Sequence, residues 1–332
     1  VTLSDVAAAA GVSASTASRV LNGGKPVSAD LDARVREAAA RVGYVSNTVA
    51  SAMRGRSGLL AILTDELGAE ALAELAIAAG EAATAVELST TVSSAGVEPE
   101  QQLLALRVLR SLRPRALVLT GGWISEASIR GAVEDELSGF VDDEDGAVVV
   151  MGPPVLPYPT VSFDDFGDGK LIARHMAAEG GSSALVLAGP STNESYRRRA
   201  AGILAGLDES GVHDVRVLHS ENESRAAEDV IVRHITASTP EMILCVNDRL
   251  ALGAYAAVDD LGLRVSQDVT LSGMDDLPVA HQLTPSLTTI VHPLREAGSL
   301  VVALALQVTG AHERRVLPGA LVIRDSSRRL DR

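Results

Sequence analysis

From residue 59 onward short apolar runs alternate with stretches of helical periodicity, and nothing else in the chain constrains the fold as tightly. The apolar runs are 59–63, 86–92, 116–120, 147–151, 184–188, 215–218, 242–246 and 269–274. Helical spacing fills the gaps at 69–83, 99–112, 170–179, 198–210, 226–237 and 250–261. Strands separated by helices pair in parallel, because each crossover returns the chain to the same edge, and the helices cover both faces. Eight or more such units fit either one closed barrel or two doubly wound halves. The segments Tyr158-Pro159-Thr160-Val161-Ser162-Phe163, midway, and Leu287-Thr288-Thr289-Ile290-Val291, late, read as crossings between halves. In doubly wound sheets ligands sit at the carboxyl ends of the strands, and two facing halves make a cleft that can close.

The first 58 residues follow a different pattern. Thr2 and Asp5 have capping-box spacing, Gly11 can supply a positive φ for a tight turn, and Ser13 can cap a second helix. Val6, Ala7, Ala10, Val12, Ala17, Val20 and Leu21 recur at helical spacing and would pack the pair. Ala14, Ser15, Ser18, Arg19 and Asn22 are then left on the outer face of helix 2. Small hydroxyls, an amide and an arginine suit the donors and acceptors of a DNA major groove. Ser28 is placed to cap a third helix with the apolar stripe Leu31, Val35, Ala38, Ala39 and Val42, closed by Gly43.

Charge supports a nucleic-acid partner once it is divided by region. The net charge is −14, yet residues 1–56 hold seven basic side chains (Arg19, Lys25, Arg34, Arg36, Arg41, Arg54, Arg56) against four acidic ones (Asp5, Asp30, Asp32, Glu37). The head is therefore at +3 and the remainder at −17. A basic head on an acidic body binds phosphate at one end only.

The residues themselves carry a family resemblance. Thr2-Leu3-x-Asp5-Val6-Ala7, Gly11-Val12-Ser13-x-x-Thr16-x-Ser18-Arg19-Val20-Leu21-Asn22, Val27-Ser28, Gly43-Tyr44 and Asn47-x-x-Ala50 stand in register without gaps. This stretch resembles the lactose/galactose repressor (LacI/GalR) family. In the body, Arg199-Ala200-Ala201-Gly202, Val246-Asn247-Asp248-Arg249-Leu250, Ser272-Gly273-Met274-Asp275-Asp276 and Leu287-Thr288-Thr289-Ile290 match further motifs of that family. The resemblance implies a small all-α helix-turn-helix head and an α/β body of two doubly wound parallel-sheet subdomains, type I periplasmic-binding-protein-like. The head would span 1–46, a hinge helix and linker 47–58, and an effector-binding and dimerisation body 59–332. Residues 59–160 with 292–318 would form one subdomain, and 161–291 with 319–332 the other.

The resemblance also assigns roles. Ala14, Ser15 and Arg19 would read base edges, with Arg19 on a guanine. Thr2, Ser13, Thr16, Ser18, Asn22, Tyr44 and Asn47 would hold phosphates. The segment 47–55 would form a hinge helix on DNA, with Met53 wedging a central base step where the family usually has leucine. Arg199, Asn247 and Asp275 would bracket an effector. Asn193, Ser195, Asp164 and Asp65 are further candidates. A guanidinium, an amide and a carboxylate together suit vicinal hydroxyls, as on a sugar. Where relatives carry stacking aromatics this chain has Ala71-Leu72 and Ser220-Glu221-Asn222, which leaves Trp123 as a candidate replacement.

The expected protein is thus a transcriptional regulator, a repressor on this reading. Its homodimer would hold near-palindromic operator DNA under control of a small-molecule, carbohydrate-like effector. With a single Cys245, no leader-like start and no run of about 18 apolar residues, it is expected in the cytoplasm with no membrane association. No cofactor, metal or catalysis is expected: Gly167-Asp168-Gly169 lacks the third glycine of a dinucleotide loop, the seven histidines lack ligand spacing, and Asp142-Asp143-Glu144-Asp145 lacks calcium-loop spacing. The competing class is a solute-binding or sugar-modifying α/β protein without a regulatory role. The first would need an export signal and no recognition helix, the second a nucleophile–base pair that the sequence does not offer.

Overall fold

The computed structural model describes residues 1–21, 27–44, 57–65, 70–96, 98–122, 127–235, 238–307 and 313–328. The head comprises α1 (Leu3–Ala10), α2 (Ala14–Leu21) and α3 (Ala29–Val42). Thr2 and Asp5 close the capping box on α1: Asp5 N donates to Thr2 Oγ1 at 3.4 Å and Thr2 N donates to Asp5 Oδ2 at 2.7 Å. Gly11 ends α1 at φ 66°, and Ser13 Oγ accepts from Thr16 N at 3.1 Å to start α2. Val6, Ala7, Ala10, Ala17, Val20, Val35, Ala38 and Ala39 make a small core. Ser28 precedes α3, but its side chain makes no capping bond, contrary to expectation; Asp30 and Asp32 supply favourable charge in that first turn instead.

The body contains two parallel sheets. The first takes β1 (Leu59–Thr64), β2 (Ser89–Ser94), β3 (Ala116–Thr120), β4 (Ala147–Met151), β5 (Thr160–Phe163) and β11 (Arg314–Leu317), in the order β11-β5-β4-β3-β1-β2. Helices α4 (Glu70–Thr84), α5 (Pro99–Ser111), α6 (Arg130–Asp142) and α11 (Leu294–Leu306) cover it. Alternation along β1 divides the packing: Leu60 and Ile62 join α4 and α11, whereas Ala61 and Leu63 join α5 and α6. The second sheet takes β6 (Ser183–Leu187), β7 (Asp214–Leu218), β8 (Met242–Cys245) and β9 (Thr270–Ser272), ordered β7-β6-β8-β9. Around it lie α7 (Asp165–Ala178), α8 (Glu194–Glu209), α9 (Ser224–His234) and α10 (Asp248–Asp260). The barrel alternative is excluded by these two open sheets.

The order reverses between β1 and β3 in the first sheet and between β6 and β8 in the second, which is where doubly wound folds bind ligands. The chain passes between halves after β5, after β10 (Thr289–Val291) and between β11 and β12 (Ala320–Val322); β10 and β12 pair antiparallel. The first sheet continues through Phe163, three residues beyond the expected limit at 160.

Several expected bounds shift for identifiable reasons. The run 86–92 begins with a turn, Glu87 at φ 60°, so β2 starts at Ser89. Helix α7 starts at Asp165 rather than 170, because Asp164 caps it and Gly167 and Gly169 are helical. A Cβ on Gly169 would run into the Arg199 carbonyl, and one on Gly202 into that of Phe166, so glycine permits the backbone contact of α7 with α8. Asn193 likewise starts α8 four residues before the expected 198. Helices α6 and α11 went unassigned from periodicity. In the acidic run at 142–145, Glu144 pairs with Arg110 at 2.6 Å.

Candidate functional site

The head presents one face for contact. Ala14, Ser15 and Arg19 are exposed and Ser18 half-buried, on the side of α2 opposite Ala17 and Val20. At the start of α2 the hydroxyls of Ser13, Ser15 and Thr16 cluster, with Ser13 Oγ 3.0 Å from Ser15 Oγ and 2.8 Å from Thr16 Oγ1. Hydroxyls at a helix N-terminus, where backbone N–H groups are unpaired, suit an oxyanion such as a phosphate. Thr2 is exposed, while the Tyr44 ring packs against the small core. Asn22, Asn47 and Met53, together with Trp123, lie outside the described residues.

The second site lies where the carboxyl ends of both sheets face one another. Asp65 follows β1, and Gly121 and Gly122 follow β3; a Cβ on Gly122 would sit 3.3 Å from both Asp65 Oδ2 and Asn193 Nδ2. Asp65, from the first half, and Asn193, from the second, thus flank the same narrow space. Arg199, on the first turns of α8, is only 6% exposed. Its Nε donates to Asp165 Oδ1 at 2.9 Å, and its Nη1 to Val246 O at 3.0 Å and Asp275 Oδ1 at 2.8 Å. Among the described residues Nη2 has no protein acceptor, which leaves two N–H groups for a ligand. Burial works against the guanidinium charge, but Asp275 and then Asp165 outweigh it and raise its pKa above the ordinary value. Burial also works against the Asp275 carboxylate, where Arg199 and His292 prevail and lower its pKa.

Asn247 has two tasks. Its Oδ1 accepts from Leu250 N at 2.8 Å and caps α10, while its Nδ2 donates to Asn222 Oδ1 at 2.8 Å and Tyr196 Oη at 3.0 Å. Asn193 Oδ1 caps α8 by accepting from Tyr196 N at 3.2 Å, and Asp164 Oδ1 caps α7 by accepting from Gly167 N at 3.1 Å. Ser195 is half-buried on the first turn of α8. The structure therefore brings Arg199, Asn247 and Asp275 to one end of the second half with Asn193 and Asp65 nearby, whereas the Asp164 side chain is occupied at a passage between halves.

Residues absent from the expected set complete the surroundings. Tyr196, 6.0 Å beneath the Arg199 guanidinium, and Asn222 join Asn247. Asp165 and His292 hold Arg199 and Asp275 from behind. Asp248 is fully buried, accepting from Thr289 Oγ1 at 2.7 Å and Leu277 N at 2.8 Å. Burial, and next the charge of Asp275, push the pKa of Asp248 up to about 7. Asp165 gave no signal in the sequence, because its place on the first turn of α7 appears only once the helix is seen to start there and not at 170.

Comparison with known proteins settles the family. Residues 2–47 match the bacterial regulatory proteins, lacI family, and residues 173–327 match a periplasmic binding protein-like domain. The chain has the head of the LacI family and a periplasmic-binding-protein-like body. It is 29% identical to the lactose operon repressor of Escherichia coli (strain K12) over 339 residues, 98% of this chain and 91% of that one. It is 26% identical over 333 residues to the HTH-type transcriptional regulator DegA of Bacillus subtilis (strain 168), covering 98% of each. A crystal structure of the lac repressor dimer bound to operator and the anti-inducer ONPF superposes with a TM-score of 0.82 at 28% identity, covering 98% of this chain and 99% of that one. The protein is a DNA-binding transcriptional regulator with a LacI-type head and an effector-binding body. Among the described residues no helix is long and apolar enough to cross a membrane.

Proposed function

We propose that this LacI-family regulator is a repressor. A homodimer holds near-palindromic operator DNA through two copies of α2, and a small polyhydroxylated effector in the cleft sets how tightly it does so. The observation that carries the effector reading is Arg199, buried, fixed by two carboxylates through Nε and Nη1, and with Nη2 left without a protein acceptor among the described residues. Charge-assisted donors and acceptors at fixed positions suit vicinal hydroxyls better than an apolar ligand, whose burial against them would leave polar groups unpaired. Asn222, where relatives carry an aromatic, adds an amide and removes a stacking platform, which favours a polar ligand face.

Two further features support the DNA side. Ala14, Ser15 and Arg19 are exposed on one helix face with hydroxyls at its start. Helices α4 and α5 flank the edge strand β2 and leave Ile77, Leu104 and Val108 about half exposed, a natural surface for a second copy. A ligand that favours one closure of the two halves over the other shifts operator affinity by that difference.

Selection of duplexes from a random pool, followed by anisotropy titration across salt, tests the reading. Recovery of a two-fold symmetric site, with binding altered by a member of a pentose and hexose panel, is the expected result. Equal affinity for every duplex would refute it, and light scattering that gives a monomer or tetramer would refute the dimer.

A further inference from the structure

A line of buried side chains runs from the cleft to all three passages between the halves. Asp275 Oδ1, which accepts from Arg199, also lies 3.4 Å from His292 Nδ1. The other imidazole nitrogen, Nε2, lies 3.2 Å from Asp168 Oδ2, and Asp168 Oδ1 accepts from Gly319 N at 2.9 Å. Phe163 stacks on the imidazole with ring centroids 4.5 Å apart. Phe163 ends β5 at the first passage, His292 lies in the second, and Gly319 lies in the third. A Cβ at Gly319 would fall 2.9 Å from Asp168 Oδ2, so the third passage needs glycine to approach this closely. The three passages converge on one imidazole that is only 3% exposed.

Both of its nitrogens face carboxylate oxygens. An ionised carboxylate only accepts, and a neutral imidazole has one N–H and one lone pair. A neutral ring would therefore turn its lone pair on one carboxylate. The doubly protonated ring satisfies both contacts. The charged groups around it are Asp168 from α7, Asp275 from the turn after β9 and Arg199 from α8, with Asp165 bound to Arg199 and Asp248 behind Asp275. Three carboxylates in direct contact (Asp165, Asp168, Asp275) thus face Arg199 and one imidazole. Burial opposes the imidazolium charge, but Asp168 and Asp275 outweigh it and raise the His292 pKa.

We propose that His292, held as an imidazolium between Asp168 and Asp275, is a positioning residue that ties the effector-site carboxylate to the three passages, so that loss of its proton loosens Asp275 and the passages together. The proposal rests on the reading of Arg199 and Asp275 as the effector site, and it gives that site a built-in link to domain closure. The sign follows from linkage: a histidine raised on folding contributes stability below its unfolded pKa and loses it as pH rises through the folded value.

The test uses the full chain without ligand. With 15N-labelled histidine, NMR from pH 5 to 9 should show both His292 nitrogens still protonated at a pH where free histidine added to the sample has lost its proton. The backbone amides of Asp275 and Gly319 should shift with the same midpoint as His292, and should stay flat in a folded His292→Gln variant. Asp168→Asn should lower the His292 midpoint. Titration of His292 alongside free histidine, or amides that ignore it, would overturn the proposal. Calorimetry with D-galactose and D-ribose at pH 6 and pH 9 separates the two readings. For a sugar that binds, affinity should weaken at the higher pH in the wild type and not in His292→Gln; equal weakening in both would count against the proposal. If neither sugar binds at either pH, the carbohydrate reading is weakened while the NMR result still decides the role of His292.

Discussion

Replacing Arg199 by methionine keeps an unbranched stem of similar length and removes the charge on which the cleft depends. The Arg199 side chain is 7% exposed, Asp165 6% and Asp275 21%. Removing the guanidinium strands both carboxylates, although Asp275 keeps His292. Breaking a buried pair from one side costs roughly 3–5 kcal/mol, because the remaining charge stays desolvated without a partner. The lost bond to the Val246 carbonyl adds about 1 kcal/mol. We expect a loss of about 4 kcal/mol at pH 8, read as a drop of roughly 1 M or more in the urea midpoint followed by circular dichroism. In the variant the stranded carboxylates take up protons more readily in the folded state, so its deficit should shrink between pH 8 and pH 5. Arg199→Met with Asp165→Asn should recover at least half of the loss. A deficit below about 1 kcal/mol at pH 8, or one that is the same at pH 5, would show that these groups are solvated and refute the reasoning.

Three further outcomes follow from the same geometry. Arg19→Ala should weaken operator binding by about 1–3 kcal/mol and relax one base position, measured by competition with single-base operator variants. Gly202→Ala drives a Cβ into the Phe166 carbonyl, so α8 must move away from α7; a loss of about 1–3 kcal/mol in denaturant unfolding, with weaker effector binding because Arg199 moves too, is expected. Asp248, raised to about 7 in the folded state from an ordinary 3.8, binds its proton more tightly there than in the unfolded chain. It should therefore cost roughly 1.4 kcal/mol of stability per unit as pH rises from about 4 to 7. That slope should be missing from Asp248→Asn when unfolding is measured across this range.

Much of this architecture was legible because it is local. Alternating strands and helices, the Thr2–Asp5 capping box and Gly11 depend on neighbours within a few residues, and they appear where spacing puts them. Helix α6 was legible too, since Val133, Leu137 and Phe140 stand at i, i+4 and i+7 with charged residues between them, but it was not assigned. Helix α11, apolar nearly all round, gave no amphipathic signal because it is buried against α4 and the first sheet. The start of α7 was misplaced because glycine reads as a helix breaker, while the use of Gly169 in a backbone contact with α8 depends on Arg199, 30 residues away.

The amino-acid sequence by itself settled the residue types: an arginine-bearing second helix with small polar side chains, a parallel α/β body, and Arg199, Asn247 and Asp275 as polar groups after strands or at a helix start. These follow from periodicity, caps and motifs, which need no knowledge of distant contacts. Tertiary structure alone decided what each of those groups touches. It buried Arg199 between Asp165 and Asp275, divided Asn247 between a helix cap and the Tyr196–Asn222 cluster, and set His292 between two carboxylates where three passages meet. Residues as far apart as Asp168 and Gly319 become partners only when both sheets have formed, and their charges interact strongly because that packing excludes water.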